Sequence, residues 1–334
     1  MNPAYIVRRF ALFVLTVAVV VTVIFLLTRL APGDPIEAKA LALEAQAGNT
    51  GGDIGPIVEA YREKFQLDGP LHIQYVTYLT NLLKGDLGYS MTNYPATVVD
   101  KISAAMPWTI GIALVTTVLA MLFGSLVGAL IAWRRSFVLV QATLPVLMVT
   151  AAVPFFLFGL VLQFFLGVHW KVLPTAFGVD PGFLVGWNIE TVWQLTKHAL
   201  LPATAVIVAS TGLWGLGMRA MMVTTAGEDY MLLADAKGLK ERRIFLVYAI
   251  RNVLLPQTTS FALSLASVVG GLLLVEIVFN YPGIGLLLRN AIGESDYFMI
   301  QGVTLITTFA VALALFIMDL IYPLIDPRIS YSRS

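Results

Sequence analysis

The chain has 334 residues, of which 58% are hydrophobic and 12% are charged, and its net charge is +1. Soluble globular chains carry about 25% charged residues, so this composition is typical of an integral membrane protein. The near-neutral balance gives no indication of nucleic-acid binding. The chain has no cysteine and only three histidines, which excludes disulfides and thiolate metal sites and argues against an imidazole metal site. We therefore predict no bound metal.

Six uncharged stretches are each long enough to cross about 30 Å of hydrocarbon as a helix. They are residues 10–28, 102–133, 136–170, 199–218, 252–275 and 297–318. The third contains Pro145 and Pro154, so we expect a kinked span with an interfacial tail, while two separate spans remain an alternative. The first is too long for the apolar core of a signal peptide and no small-residue cleavage site follows, which predicts a retained helix.

Basic residues are distributed unevenly between the connecting segments. With the N-terminus inside, 12 of the 21 basic residues but only six of the 20 acidic residues lie in cytoplasmic segments. Lysine and arginine in short flanking segments favour the cytoplasmic side. We therefore predict that both termini and residues 219–251 are cytoplasmic, and that residues 31–101 lie outside.

The predicted fold is an all-α integral membrane protein with about six transmembrane helices. Residues 1–30 would hold an N-terminal segment and the first of them. Residues 31–101 would form a small extracytoplasmic subdomain between helices 1 and 2, because residues 57–65 and 74–83 have helical periodicity. Residues 102–334 would form the membrane core with helices 2–6, and residues 219–251 would be a cytoplasmic loop between helices 4 and 5.

Several kinds of chemistry are excluded by what the chain lacks. No predicted span contains a charged residue, whereas ion-coupled transporters place such residues within the membrane. The chain contains no Gly-Lys-Ser or Gly-Lys-Thr and therefore no P-loop, and no motif for a catalytic nucleophile is recognisable. We predict no catalytic residue. The chain is then either one part of a larger machine or a stand-alone channel or membrane scaffold.

A short helix is predicted in the cytoplasmic loop. Thr225 and Glu228 fit a capping box at its start, and Gly238 suits the left-handed position that ends a helix. The residues that recur at helical spacing are Tyr230, Leu233, Ala234 and Lys237. A short helix of this kind is suited to docking in a groove of another protein, and the alternative is a helix that lies on lipid.

Small and polar residues in and beside the spans have structural interpretations. Gly124 and Gly128 are four positions apart in the second span, a spacing that permits close helix approach. Glu276 follows the fifth span, where we expect a hydrogen bond to a neighbouring helix end in preference to contact with a ligand. Neither feature identifies a binding site.

Residues 228–256 resemble the ATPase-contacting loop of binding-protein-dependent ABC importer permeases, in the form found in the dipeptide, oligopeptide and nickel permease family. The motif is Ala234-Asp235-Ala236-Lys237-Gly238-Leu239, followed by Arg251-Asn252 and Leu255-Pro256. The glutamate that begins this loop in the wider superfamily is replaced by Leu232, as in the peptide and nickel branch. Residues 31–35, 67–75, 84–90, 276–285 and 324–328 resemble further motifs of that branch, so the resemblance covers nearly the whole chain.

The resemblance implies a pore-forming subunit of an ATP-driven importer in the bacterial or archaeal cytoplasmic (inner) membrane. The implied partners are a second homologous permease, two ABC ATPase subunits, an extracytoplasmic substrate-binding protein and membrane lipid. ATP and Mg would be held by the ATPase subunits, so no cofactor is expected on this chain. Di- and oligopeptides are the implied substrates, with oligosaccharides, opines and nickel as alternatives, and the substrate path is not identified.

The resemblance also assigns residues to two contacts. The residues implied to couple the chain to the ATPases are Glu228, Asp229, Tyr230, Leu233, Ala234, Lys237, Gly238 and Leu239. The residues implied to dock the binding protein are Lys84, Gly85, Asp86, Leu87 and Gly88.

Overall fold

The computed structural model describes residues 3–30, 36, 55–65, 69–133, 138–254, 256–258, 260–261, 264 and 272–325. Those residues form helices and loops, and a single bridge between Tyr89 and Thr97 is the only strand-like pairing among them. The helices, numbered in chain order, are α1 (Pro3–Leu30), α2 (Gly55–Lys64), α3 (Leu71–Leu83), α4 (Val98–Trp133), α5 (Val138–Ala152), α6 (Phe155–Leu162), α7 (Ile189–Ala226), α8 (Asp229–Ala236), α9 (Glu241–Arg243), α10 (Leu273–Val278), α11 (Ile284–Gly293) and α12 (Tyr297–Ile325). The predicted all-α fold is confirmed.

Four helices of the described part are long and apolar enough to cross a membrane. They are α1, α4, α7 and α12, and they contain the first, second, fourth and sixth predicted spans. In the fifth predicted span, residues 252–275, 11 of the 24 residues lie outside the described part of the chain. The helix count therefore agrees with the predicted architecture as far as the structure describes it.

The third predicted span is bent more sharply than a kinked helix. The axes of α5 and α6 meet at 102° around Val153 and Pro154, where Pro154 has extended backbone angles and α6 begins after it. A π-helix, Gln163–His169, continues α6. Proline lacks the amide hydrogen that would continue the helical ladder, so the bend at Pro154 is confirmed and its size is the new observation.

Helices α1 and α12 pack side by side in opposite directions. Arg9 near the start of α1 forms an ion pair with Asp319 near the end of α12, with 3.0 Å between Nη1 and Oδ2. At the other end, Gln301 donates a hydrogen bond from Nε2 to the hydroxyl of Thr28. The start of α1 and the end of α12 therefore lie on the same side of the molecule.

Helices α4 and α7 approach each other at glycine. A Cβ at Gly128 would lie 2.1 Å from the carbonyl oxygen of Gly215, and a Cβ at Gly124 would lie 2.5 Å from Cβ of Trp214. Real Cβ atoms do not come this close to backbone, so only glycine fits at Gly128. The predicted close approach at this pair of glycines is confirmed.

The segment between α1 and α4 has the two helices expected from its periodicity, α2 and α3. Helix α3 packs on α1, where the hydroxyl groups of Tyr75 and Thr22 lie 2.7 Å apart and the ring of Tyr78 stacks on Phe25. Burial raises the pKa of the Tyr78 hydroxyl to about 12. Residues 31–35, one of the segments that resemble a family motif, lie outside the described residues.

The carboxylate of Glu276 is buried, with only 1% of the residue exposed. It accepts hydrogen bonds from the hydroxyl of Thr109 at 2.6 Å and from the amide of Gly285 at 2.5 Å. Gly285 lies in the first turn of α11, where amide groups have no partner within the helix. The predicted hydrogen bond between Glu276 and a neighbouring helix end is confirmed.

A polar cluster fastens the loop between α6 and α7 onto α7. The imidazole of His198 lies between two oxygen atoms, with Nδ1 3.0 Å from the carbonyl of Ala176 and Nε2 3.1 Å from Oδ1 of Asp180. Gln194 donates from Nε2 to Oδ2 of Asp180 at 2.9 Å. The hydrogen bond from Gln194, followed by that from His198, lowers the pKa of Asp180 below its ordinary value.

Candidate functional site

Helix α8 sits against the ends of α4 and α7. Its buried residues, Met231 and Ala234, belong to one apolar cluster with Ala132 of α4 and with Met218 and Met222 of α7. The same cluster continues into a π-helix, Ile244–Ile250, which directly follows α9. This short helix is therefore held against the bundle by buried side chains and not only by its chain connections.

The start of α8 differs from the prediction. Thr225 lies in the last turn of α7, which ends at Ala226 and is followed by its C-cap, Gly227. Glu228 is itself the residue before α8, with no hydrogen bond between its side chain and the helix. The predicted capping box is therefore wrong. The pattern Thr-x-x-Glu occurs, but the break in the helix falls at Gly227, between its two members.

The end of α8 agrees with the prediction. Gly238 has φ of +66°, and its amide donates to the carbonyl of Asp235 at 2.8 Å while the amide of Leu239 donates to the carbonyl of Ala234 at 3.3 Å. These two bonds form a Schellman motif, which satisfies carbonyl groups at the end of a helix. Leu239 also packs on the apolar cluster beneath the helix, so the turn fixes the direction in which the chain leaves α8.

The outward face of α8 is apolar. Leu232 and Leu233 are 65% and 55% exposed, whereas Met231 and Ala234 are turned inward. The four residues predicted to share a face are therefore divided: Ala234 points into the bundle, and Leu233 points away from it. The remaining predicted residues surround this surface, with Glu228, Asp229 and Lys237 exposed and Tyr230 half-buried.

Residues 84–88 form a tight turn after α3. The amide of Asp86 donates to the carbonyl of Asn81 at 3.0 Å, and Gly85 and Gly88 have φ of +77° and +79°. Lys84, Gly85 and Asp86 are exposed. Leu87 is half-buried on an apolar cluster that contains residues at the starts of α4 and α12.

Asp296, which the sequence did not single out, holds this region to the start of α12. Its Oδ2 accepts from the hydroxyl of the buried Ser90 at 2.5 Å and from the hydroxyl of Thr92 at 3.0 Å, while Oδ1 accepts from the amide of Met299. Helix α4 extends about 54 Å at 1.5 Å per residue from this region to the cluster under α8. The turn at residues 84–88 and α8 therefore lie at opposite ends of the bundle.

A cavity of about 690 Å³ lies between α4, α7 and the helical residues around Gln257. Its described polar lining comes from hydroxyl groups, one amide and the indole of Trp214, and none of its described lining residues is ionisable. The hydroxyl and amide groups belong to Thr116, Thr117, Ser210, Gln257, Ser260 and Ser264. No motif in the sequence indicates this cavity, because it is assembled from residues far apart in the chain.

Residues 120–331 match the family described as binding-protein-dependent transport system inner membrane component. The chain belongs to this family. The permease is 32% identical to the oligopeptide transport system permease protein of Bacillus subtilis, over 98% of this chain and 99% of that relative. It is 31% identical to the di/tripeptide transport system permease protein of Pseudomonas aeruginosa, over 99% of each.

A third relative is the glutathione transport system permease protein of Salmonella choleraesuis, which is 31% identical over 98% of this chain and 99% of its own length. All three relatives are transport permease subunits and not enzymes. The chain is therefore a multi-pass ABC permease subunit of the peptide-transport type. The predicted resemblance is confirmed.

Proposed function

We propose that this permease forms one half of the transmembrane pore of an ATP-driven importer, and that α8 carries movement of the ATPase subunits to the membrane helices. The observation that carries this proposal is the two-sided character of α8. Its outward surface at Leu232 and Leu233 is apolar and exposed, which suits docking into a groove of an ATPase subunit. Its inward surface is packed on the transmembrane helices.

The packing under α8 suggests how the movement travels. Met231 and Ala234 share one apolar cluster with residues at the ends of both α4 and α7, and these two helices are held against each other at Gly128 and Gly215. Close-packed interiors transmit displacement because they have little free volume. A push on α8 would then move α4 and α7 as one rigid pair, which is the kind of motion that alternates access across a membrane.

The proposed assembly contains a second homologous permease, two ABC ATPase subunits and an extracytoplasmic substrate-binding protein. ATP and Mg are proposed to bind to the ATPase subunits, with no cofactor on this chain. The coupling contact would involve the exposed part of the loop, namely Glu228, Asp229, Leu233 and Lys237. Tyr230, Ala234, Gly238 and Leu239 would position that contact from beneath and at the end of α8.

Peptides are the proposed substrates, because the relatives are named for oligopeptide, di/tripeptide and glutathione transport. Oligosaccharides, opines and nickel are the alternatives within the same machine. The alternative from a different class is a stand-alone channel or scaffold without ATPase partners, and an apolar surface at Leu232 and Leu233 that lies on lipid would favour it.

Reconstitution tests this proposal directly. The permease should co-purify with P-loop ATPase subunits and, with the co-encoded binding protein, should accumulate labelled peptide in proteoliposomes only when ATP is present. If peptide crosses the membrane without ATP and no ATPase subunits are associated, the protein is a stand-alone channel and not a subunit of an importer. Uptake of an oligosaccharide or nickel in place of peptide would support the proposed importer but would show that its substrate is not a peptide.

The proposed orientation puts α8 in the cytoplasm and residues 84–88 outside. Since the chain has no cysteine, Lys84→Cys and Lys240→Cys each introduce a single thiol at an exposed position. A membrane-impermeant maleimide added to intact cells should label Lys84→Cys alone, and Lys240→Cys should react only after the membrane is opened. Labelling of both variants in intact cells would contradict the orientation.

The turn at residues 84–88 is proposed to dock the binding protein. Lys84 is exposed and makes no ion pair with any described residue, so Lys84→Glu should leave the fold intact and weaken docking several-fold through like-charge repulsion or loss of attraction. Binding-protein affinity of the reconstituted complex is the measurement. Glu190→Lys, a charge reversal at an exposed position near the start of α7, is the control and should bind as the wild type does.

A further inference from the structure

The cavity between α4 and α7 has the size of a small-molecule site. Its volume of about 690 Å³ falls within the roughly 300–1,000 Å³ of typical ligand pockets. Thr117 reaches it from α4 and Ser210 from α7, while Gln257 and Ser260 reach it from the helical residues that follow the π-helix.

The hydrogen atoms of several lining groups are already engaged. Thr117 donates from its hydroxyl to the carbonyl of Ala113 at 2.7 Å, and Ser260 donates to the carbonyl of Pro256 at 3.2 Å. What these hydroxyl groups still offer is their oxygen lone pairs. They can accept hydrogen bonds from a ligand.

Gln257 supplies the third acceptor. Its Nε2 donates to Oγ of Ser125 at 2.9 Å and to the carbonyl of Trp214 at 3.3 Å, which ties α4 and α7 to this helix. The residue is only 2% exposed, and no described residue donates to its Oε1. This oxygen lies 4.0 Å from the position of a Cβ at Gly217 in the cavity wall, so its lone pairs are suited to accepting a hydrogen bond from a bound molecule.

We propose that this cavity is a subsite for the main-chain amide groups of a peptide in transit. The N–H groups of the peptide bind to Oε1 of Gln257 and to the hydroxyl oxygens of Thr117 and Ser260, and a peptide carbonyl accepts from the hydroxyl of Ser210. No described lining residue is ionisable, so the subsite recognises the backbone and not the charge of the side chains. This inference rests on the proposed import of peptides.

The same geometry connects the subsite to α8. Val253 belongs to the apolar cluster under α8 and lies one helical turn before Gln257, on the same face. Met221 lines the cavity and also packs against that cluster. Movement of α8 therefore reaches both walls of the cavity, which gives ATP binding a route to change the affinity of the subsite.

A glycine in the cavity wall allows a direct test. A Cβ at Gly217 has Oε1 of Gln257, 4.0 Å away, as its nearest neighbour, so Gly217→Leu adds a side chain to the cavity wall at a position where the Cβ itself meets no obstacle. In the reconstituted complex we expect peptide uptake to fall at least about tenfold, equivalent to about 1.4 kcal/mol, while ATPase activity stimulated by the binding protein persists. Gly111→Leu, on the exposed face of α4 with no atom within 4 Å, should transport at the wild-type rate.

Protection of a single thiol identifies what the cavity binds. In the assembled complex without binding protein, Ser210→Cys should react with a small maleimide, and a tripeptide should slow that reaction several-fold. The same tripeptide with N-methylated amides, which lacks the N–H donors, should not. Equal protection by both peptides, absence of protection, or wild-type uptake by Gly217→Leu would overturn the subsite. Failure of the wild-type complex to take up any peptide with ATP would instead overturn the proposed function.

Discussion

Replacing Gly238 by valine should abolish the coupling of ATP hydrolysis to transport while leaving the membrane helices folded. Gly238 has φ of +66° and no heavy atom lies within 4 Å of the position where its Cβ would be, so the variant meets no steric obstacle from the rest of the molecule. The cost is conformational, about 1–2 kcal/mol for a residue with a Cβ in the left-handed region, and larger for a β-branched side chain.

That cost is relieved when the Schellman turn opens. The hydrogen bonds from the amides of Gly238 and Leu239 to the end of α8 would then be lost, and Leu239 would leave the apolar cluster. An α8 that no longer has a fixed position docks more weakly, and a penalty of about 1.4 kcal/mol is a tenfold loss of affinity. We expect peptide uptake to fall at least about tenfold by the same conversion, with ATPase subunits released or hydrolysing ATP without transport.

Two variants separate this effect from a general disturbance of the loop. Gly238→Asn keeps a residue that adopts the left-handed region more readily than other non-glycine residues, so it should retain most of the transport. Gly227→Ala changes the glycine at the other end of α8, where the added Cβ makes only an ordinary contact at 3.5 Å, and should transport normally. Wild-type uptake by Gly238→Val with ATPases still bound would mean that α8 is not the coupling element.

The features that could be predicted from the sequence are those that depend on neighbouring residues alone. An uncharged stretch of sufficient length needs no partner to be recognised as a span, and α1, α4, α7 and α12 appear where such stretches occur. The left-handed turn at Gly238 could also be predicted from a single residue, because glycine reaches positive φ without strain. The resemblance to ABC permeases also rested on contiguous motifs, and the family match confirms it.

Features that depend on packing could not be predicted in this way. The pattern from Thr225 to Glu228 fits a helix start, but α7 extends past Thr225 and ends only at Ala226. The side of α8 that turns inward is the one that shares an apolar cluster with Met218 and Met222 of α7, and an eight-residue helix with several apolar positions does not reveal this from its own periodicity. The cavity could not be predicted from neighbouring residues at all, because the hydrogen bond that joins its walls connects Ser125 and Gln257, which are 132 positions apart in the chain.

Replacing Gly128 by alanine should destabilise the whole bundle. The new Cβ would lie 2.1 Å from the carbonyl oxygen of Gly215 and 2.9 Å from its carbonyl carbon, and neither atom belongs to a side chain that could rotate away. Helices α4 and α7 would have to separate along their contact, which also disturbs the cluster under α8. Overpacking of this kind costs about 1–3 kcal/mol, so the detergent-purified variant should lose its folded, monodisperse form at a clearly lower temperature than the wild type.

The matched control lies on the same helix. Gly111→Ala makes the identical substitution on the exposed face of α4, where no heavy atom lies within 4 Å of the new Cβ. Alanine is favoured over glycine in a helix interior by about 0.5–1 kcal/mol, so this variant should be as stable as the wild type or slightly more stable. The two substitutions share any effect of losing backbone freedom, and only Gly128→Ala adds a contact with α7. If both variants unfold at the wild-type temperature, α4 and α7 do not touch at Gly128, and the rigid pair through which α8 is proposed to act does not exist.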